Sequence, residues 1–140
     1  MLDGGWSDGL PVIPPTHDRV EHMVEATGLD AAHLVGYINP DGGVANVEKI
    51  AVNAVMAGCL PEYMPVLIAA VQAIVEPEFN IHGLQTTTNP CAPLLVVNGP
   101  IRNTIGINSG RGCLGPGFRA NATIGRAIRL LLLNIGGAKP

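Results

Sequence analysis

Val47, Ile50, Ala51, Ala54 and Val55 recur at the i, i+3, i+4, i+7, i+8 spacing that lines one face of a helix, the strongest such period in the chain. Gly58 stops this helix and leaves Cys59 just beyond its end. A second helix is expected over residues 61–75. Between Pro65 and Val75 only Gln72 is polar, so that helix should be buried nearly all round. A third period, Ile124, Ala127, Ile128, Leu131 and Leu132, predicts a helix from an N-cap at Asn121 to about residue 134, with Arg126 and Arg129 off its apolar face. Gly136 and Gly137 supply its C-terminal turn.

The remaining pattern is weaker. Residues 1–15 read as an extended arm pinned by Pro11, Pro14 and Pro15. Thr16 then suits the N-cap of a short helix, with Asp18 in its first turn, Val20, Met23 and Val24 on one face, and Gly28 as its stop. Residues 33–38 read as a strand closed by the turn Asn39-Pro40-Asp41-Gly42-Gly43. Further strands are expected at 84–88, at 94–97 (fully buried) and at 102–107. Together these elements predict an α/β or α+β fold, a small mixed sheet with about four helices packed around it.

Composition adds bounds. A chain of 140 residues, 47% of them apolar, is expected to form a single domain over 1–140 with a real core. That core must be aliphatic, because Trp6, Tyr37, Tyr63, Phe79 and Phe118 are the only aromatics. Apolar runs are all far short of a membrane span, and the acidic N-terminus lacks the features of a signal peptide. Three widely spaced cysteines, an odd number, then suggest reduced thiols and a cytoplasmic location.

Charge changes the picture more. All 11 acidic residues lie at or before Glu78, against Arg19 and Lys49; Arg102, Arg111, Arg119, Arg126, Arg129 and Lys139 follow without an acid among them. The net −3 therefore hides an acidic first half and a basic second half. Nucleic acid is disfavoured by the negative total and by the lack of aromatic stacking platforms. Arginines beside a glycine-rich loop fit a small anion instead.

That loop, INSGRGCLGPGFRANAT, contains a literal G-x-G-x-x-G at Gly110, Gly112 and Gly115. It fails as a dinucleotide fingerprint, since Pro116 follows at once and no downstream acid exists to hold a ribose. The milder expectation is an anion site. Arg111 and Arg119 would contribute bidentate donors, amides around Gly110 and Gly112 would converge, and Ser109, Asn121 and Thr123 would complete a polar lining. A mobile loop with solvated arginines is the plain alternative. Cys59, near the start of a helix with Glu62 close by, and Cys113, between glycines and arginines, are the candidate nucleophiles. A buried, inert thiol is the alternative for Cys59, and Cys91 is expected to cap a strand. His82, ahead of the hydroxyl- and amide-rich run 85–89, is the candidate proton-transfer group, with a plain loop histidine as its alternative. His17 and His22 read as a solvated face. No C-x-x-C or H-x-x-x-H pair is present, so no metal or other cofactor is assigned.

WSDGLPVIPPT, VEKIAVNAVMAGCLPEYMPV, FNIHGLQTTTNPCAPLLVVNGPI and INSGRGCLGPGFRANATIGRAIRLLLLNIGG together resemble the N-terminal part of a bacterial family of uncharacterised proteins sometimes found beside small UGSC-type (seleno)proteins. The resemblance covers most of the chain but carries no catalytic residues. It implies a longer protein, so that this chain would be a separate subunit, a processed product or a truncated one, and it adds weight to thiol or reductive chemistry. The expectation is an enzyme subunit that binds a small anionic substrate, within a homo- or hetero-oligomer. The rival is a non-catalytic assembly subunit whose basic half docks on an acidic partner.

Overall fold

The computed structural model describes residues 4–139. The elements run α1 (His17–Glu25), β1 (Leu34–Ile38), β2 (Gly43–Asn46), α2 (Val47–Ala57), α3 (Met64–Ile74), α4 (Ile81–Thr86), α5 (Ile101–Thr104) and α6 (Arg119–Asn134), with short 3₁₀ turns at Pro61–Tyr63 and Pro77–Phe79. Among the described residues this is an α+β arrangement of six α-helices and one two-stranded antiparallel sheet. The expected mixed sheet is therefore a hairpin, and helices dominate.

α2 is the hub, packed by α1, α3 and α6. Its period is as the pattern predicts, and its ends are well made. Asn46 Oδ1 accepts the Lys49 amide at 2.9 Å, and Gly58 closes the helix in the left-handed region at φ 92°. Val47, Ile50, Leu67, Val71, Leu130 and Leu131 are fully buried in one contiguous core with Ile38 from β1. α3 was expected to be buried nearly all round. Instead Pro65, Ala69, Gln72 and Ala73 form an exposed stripe, because α2, α6 and β1 cover only its other faces.

The hairpin pairs Gly36 with Ala45 and Ile38 with Gly43, with a bulge between Leu34 and Gly36. β2 was not anticipated, although Asn-Pro-Asp-Gly ahead of Val44 is a turn signal between two extended runs. Its tip docks on the end of α6, where Asp41 N donates to Gly136 O at 2.9 Å. Gly43 makes that approach possible, since a Cβ there would overlap the carbonyl oxygen of Ile135.

The three later strands are corrected. Leu84 to Thr86 close α4, which Asn80 starts by accepting the Gly83 amide in its side chain at 3.2 Å. Residues 102–107 begin in α5, where Pro100 N-caps a helical turn and Gly106 at φ 69° ends it. Residues 94–97 have no partner strand; Leu94 and Val96 are 74% and 77% exposed rather than buried. Ile81–Thr86 and Ile101–Thr104 bond within their own helical turns instead, and 94–97 pair with no strand.

The arm is tied down. Ile13 N donates to Met56 O at 3.2 Å, and Asn134 Nδ2 donates to Trp6 O at 3.0 Å. Arg126 grips Asp8 with two bonds, Nε to Oδ2 at 3.0 Å and Nη2 to Oδ1 at 2.9 Å, and also donates to Pro11 O at 2.8 Å. This guanidinium holds the Asp8 carboxyl below its ordinary value of 3.8. Among the described residues no single helix is long and apolar enough to cross a membrane.

Candidate functional site

The glycine-rich loop is closed on itself. Gly110 N donates to Asn108 Oδ1 at 3.0 Å, Cys113 N to Gly110 O at 3.1 Å, and Gly115 N to Gly112 O at 2.8 Å. These three amides are engaged within the loop. Arg111 is exposed at the outer edge, and the Ser109 hydroxyl takes a 3.3 Å bond from Arg102 Nη1.

α6 starts at Arg119, two residues ahead of the expected Asn121 N-cap, with Phe118 as an extended N-cap that makes no side-chain bond. Asn121 is freed for another task. Its Oδ1 accepts the Asn108 amide at 2.9 Å, while Nδ2 donates to Asn108 O and Cys113 O, both at 2.9 Å. One side chain thus fixes the loop, and Cys113 with it, on the first turn of α6.

Beside that staple runs a groove of about 750 Å³ between α6, the extended segment after α4, and the glycine loop. One stripe of α6 forms its floor: Asn121, Ile124, Gly125, Ile128, Arg129 and Leu132. Gly125 leaves the floor low, for a Cβ there would meet nothing within 4 Å. Cys91 and Leu95 come from the extended segment, and Cys113 from the loop. Arg129 and Lys139 are the charged side chains of the lining, with no acid among the residues that form it. The Arg129 guanidinium makes only long contacts, 3.5 Å to Gln85 Oε1 and 3.5 Å to Ala138 O. This size and mixture suit a small molecule with an apolar body and a negative end.

The other predicted residues separate. Cys59, Arg119 and Thr123 meet on the opposite side, at the C-terminus of α2. Arg119 Nε donates to Gly58 O at 3.1 Å, answering a carbonyl that the helix end leaves open. The Thr123 hydroxyl donates to Arg119 O at 2.8 Å and lies beside the Cys59 thiol. Burial pushes that thiol up to about 11, against a smaller pull from Thr123 and the Arg119 charge. Cys59 is a protonated thiol at neutral pH, not an activated nucleophile. Cys91, expected to cap a strand, is exposed in the extended segment.

Glu62 and His82 are exposed and line neither this corner nor the groove. Among the described residues no three His, Cys, Asp or Glu side chains gather as a metal site would require. The sequence reading missed Arg129, Lys139 and Cys91 as groove residues. The stripe 121, 124, 125, 128, 129, 132 was readable as one helix face, but nothing local says what lies opposite it. No protein-family model, curated protein or solved structure matches the chain.

Proposed function

We propose that this chain is an enzyme subunit that takes a small anionic substrate with an apolar body into the groove along α6. The observation that carries the reading is the groove itself, about 750 Å³, apolar in its floor, cationic at Arg129 and Lys139, and flanked by the thiols of Cys91 and Cys113. Arg129 and Lys139 hold the negative group; Ile124, Ile128 and Leu132 take the apolar body. Asn121 keeps Cys113 in place through its bond to the Cys113 carbonyl. The two thiols are the reactive groups facing the ligand, in line with the thiol or reductive chemistry that the sequence resemblance suggests. On this reading the anion is held at the helix face by Arg129 and Lys139 rather than by Arg111 of the loop.

Octanoate, an apolar chain ending in a carboxylate, is a suitable probe. Site-resolved mass spectrometry of iodoacetamide labelling is expected to show octanoate slowing the modification of Cys113 saturably. Gly125→Leu, which fills the floor, should abolish the protection while the protein still melts cooperatively. Arg129→Gln should raise the octanoate concentration needed by about ten-fold, the loss of one charge-assisted contact. Unchanged Cys113 labelling at saturating octanoate contradicts the reading.

One observation favours the assembly subunit instead. Val96, outside the groove, and Leu94, at its lining, stand exposed on an extended segment with no strand partner, as an interface would leave them in the isolated chain. An oligomer built on them persists at about 1 M salt, where an assembly held by the acidic and basic halves dissociates. Light scattering on Leu94→Ser/Val96→Ser then reads a monomer.

A further inference from the structure

A second cavity, of about 290 Å³, opens at the corner where α1 meets the C-terminus of α2 and the first turn of α6. Arg19 and His22 reach it from α1, Arg119 comes from α6, and Met23, Ile13 and Cys59 belong to its apolar lining. No carboxylate is among the residues that form it. Both arginines are oriented by backbone carbonyls, Arg19 Nη1 to Pro14 O at 3.0 Å and Arg119 Nε to Gly58 O at 3.1 Å. Among the described residues neither has an acidic side chain within ion-pair distance, whereas Arg126 is paired with Asp8. Asp18, Glu21 and Glu25 of α1, and Glu62 beside Pro61, are exposed as Arg19, His22 and Arg119 are, but none of these acids belongs to the lining.

Arg19 and Arg119 stand on separate helices at the exposed mouth of this cavity, so two like charges border it and no acid of the lining lies between them. Each keeps N–H donors beyond the one its carbonyl uses, because a guanidinium has five. An imidazole adds a further donor from the α1 wall. Carbonyl anchoring also matters, since it sets the direction of a long side chain before any ligand arrives. Cys59 adds no competing charge, being held as the thiol.

The geometry points to a binding site for a tetrahedral oxyanion, phosphate or the phosphate end of a small ester, held between Arg19, His22 and Arg119 at this corner. Donors from two walls match an ion with oxygens on several sides better than they match a flat carboxylate, which one guanidinium fork satisfies alone. The site is separate from the groove along α6 and does not depend on the reading given for it.

The test is calorimetric titration of the folded chain with inorganic phosphate, at an ionic strength held constant with sodium chloride. Saturable binding at one site is expected, with the His22 ring resonances moving over the same phosphate range. Arg19→Gln is the deciding variant, because its side chain is tied only to a surface carbonyl and its loss should leave the fold intact. Affinity should fall by about ten-fold, with an unchanged melting temperature. Arg119→Gln should weaken binding similarly, and Arg102→Gln, which removes an equal charge away from both cavities, should not. Glycerol phosphate binding as well as phosphate identifies an ester end-group as an acceptable ligand; its exclusion restricts the site to the free ion. Absence of saturable phosphate binding overturns the proposal. So does wild-type affinity in Arg19→Gln, or a loss that follows Arg129→Gln instead.

Discussion

Cys59 shows how two favourable neighbours lose to burial. Arg119 and Thr123 both favour its thiolate, yet desolvation in the core outweighs them and lifts the thiol from 9.0 to about 11. Iodoacetamide at neutral pH should therefore modify Cys91 and Cys113 well before Cys59. The sign of the linkage is clear. Between pH 9 and 11 the unfolded chain loses the Cys59 proton while the folded chain keeps it, so stability falls as pH rises. A shift of that size corresponds to about 2–3 kcal/mol by the upper end of the window. Melting curves across it should be less steep in pH for Cys59→Ala. Part of the slope will remain, since burial also raises Tyr63. Asn121 is the second telling residue. Asn121→Ala removes three loop bonds and should cost about 2–3 kcal/mol in chemical denaturation, with faster amide exchange at Asn108.

At the scale of elements, α6 serves two surfaces at once. One face packs Ala127, Leu130 and Leu131 into the core, while the stripe through Gly125 and Arg129 floors the groove. A glycine in the middle of a sixteen-residue helix lowers helix stability by about 1 kcal/mol relative to alanine. Since a Cβ at 125 meets nothing, Gly125→Ala should stabilise the protein by roughly that amount. A destabilised Gly125→Ala contradicts the open floor at this position. Gly43 behaves in the opposite way. There the added carbon meets the backbone of Ile135, and Gly43→Ala should destabilise the hairpin's seat on α6 by about 3 kcal/mol. Both differences are readable from urea midpoints at unchanged slope.

Across the whole molecule, the Asp8–Arg126 pair joins the arm to α6, with side chains only 14% and 21% exposed respectively. Because Asp8 is held below 3.8, its contribution is complete above that value and is lost as pH falls further through the folded value. Asp8→Asn should lower stability by about 2 kcal/mol near pH 7 and remove this part of the acid sensitivity. Among the described residues the charge division is used at this pair, where the arm's Asp8 clasps Arg126 of α6.

The amino-acid sequence by itself determined the helices that carry the core. Period, cap and stop are local in α2, where Asn46, Gly58 and the apolar stripe lie within a few turns of one another, and the apolar runs of α1, α3 and α6 are local too, though the start of α6 is not where Asn121 suggested. It also marked Cys59, Arg119 and Asn121 as worth attention. Tertiary structure alone decided the rest. A strand needs a partner in space, and residues 94–97 pair with none while Gly43–Asn46 pairs with Leu34–Ile38. Cavities are likewise relations between distant segments. Arg129 and Cys91 line one groove, and Arg19 and Arg119 line one cavity, because distant segments pack around one core. Sequence spacing contains neither fact. Even the predicted roles changed for this reason: Asn121 left the helix cap to hold the loop, and Arg119 turned to the end of α2, where an unanswered carbonyl of Gly58 was waiting.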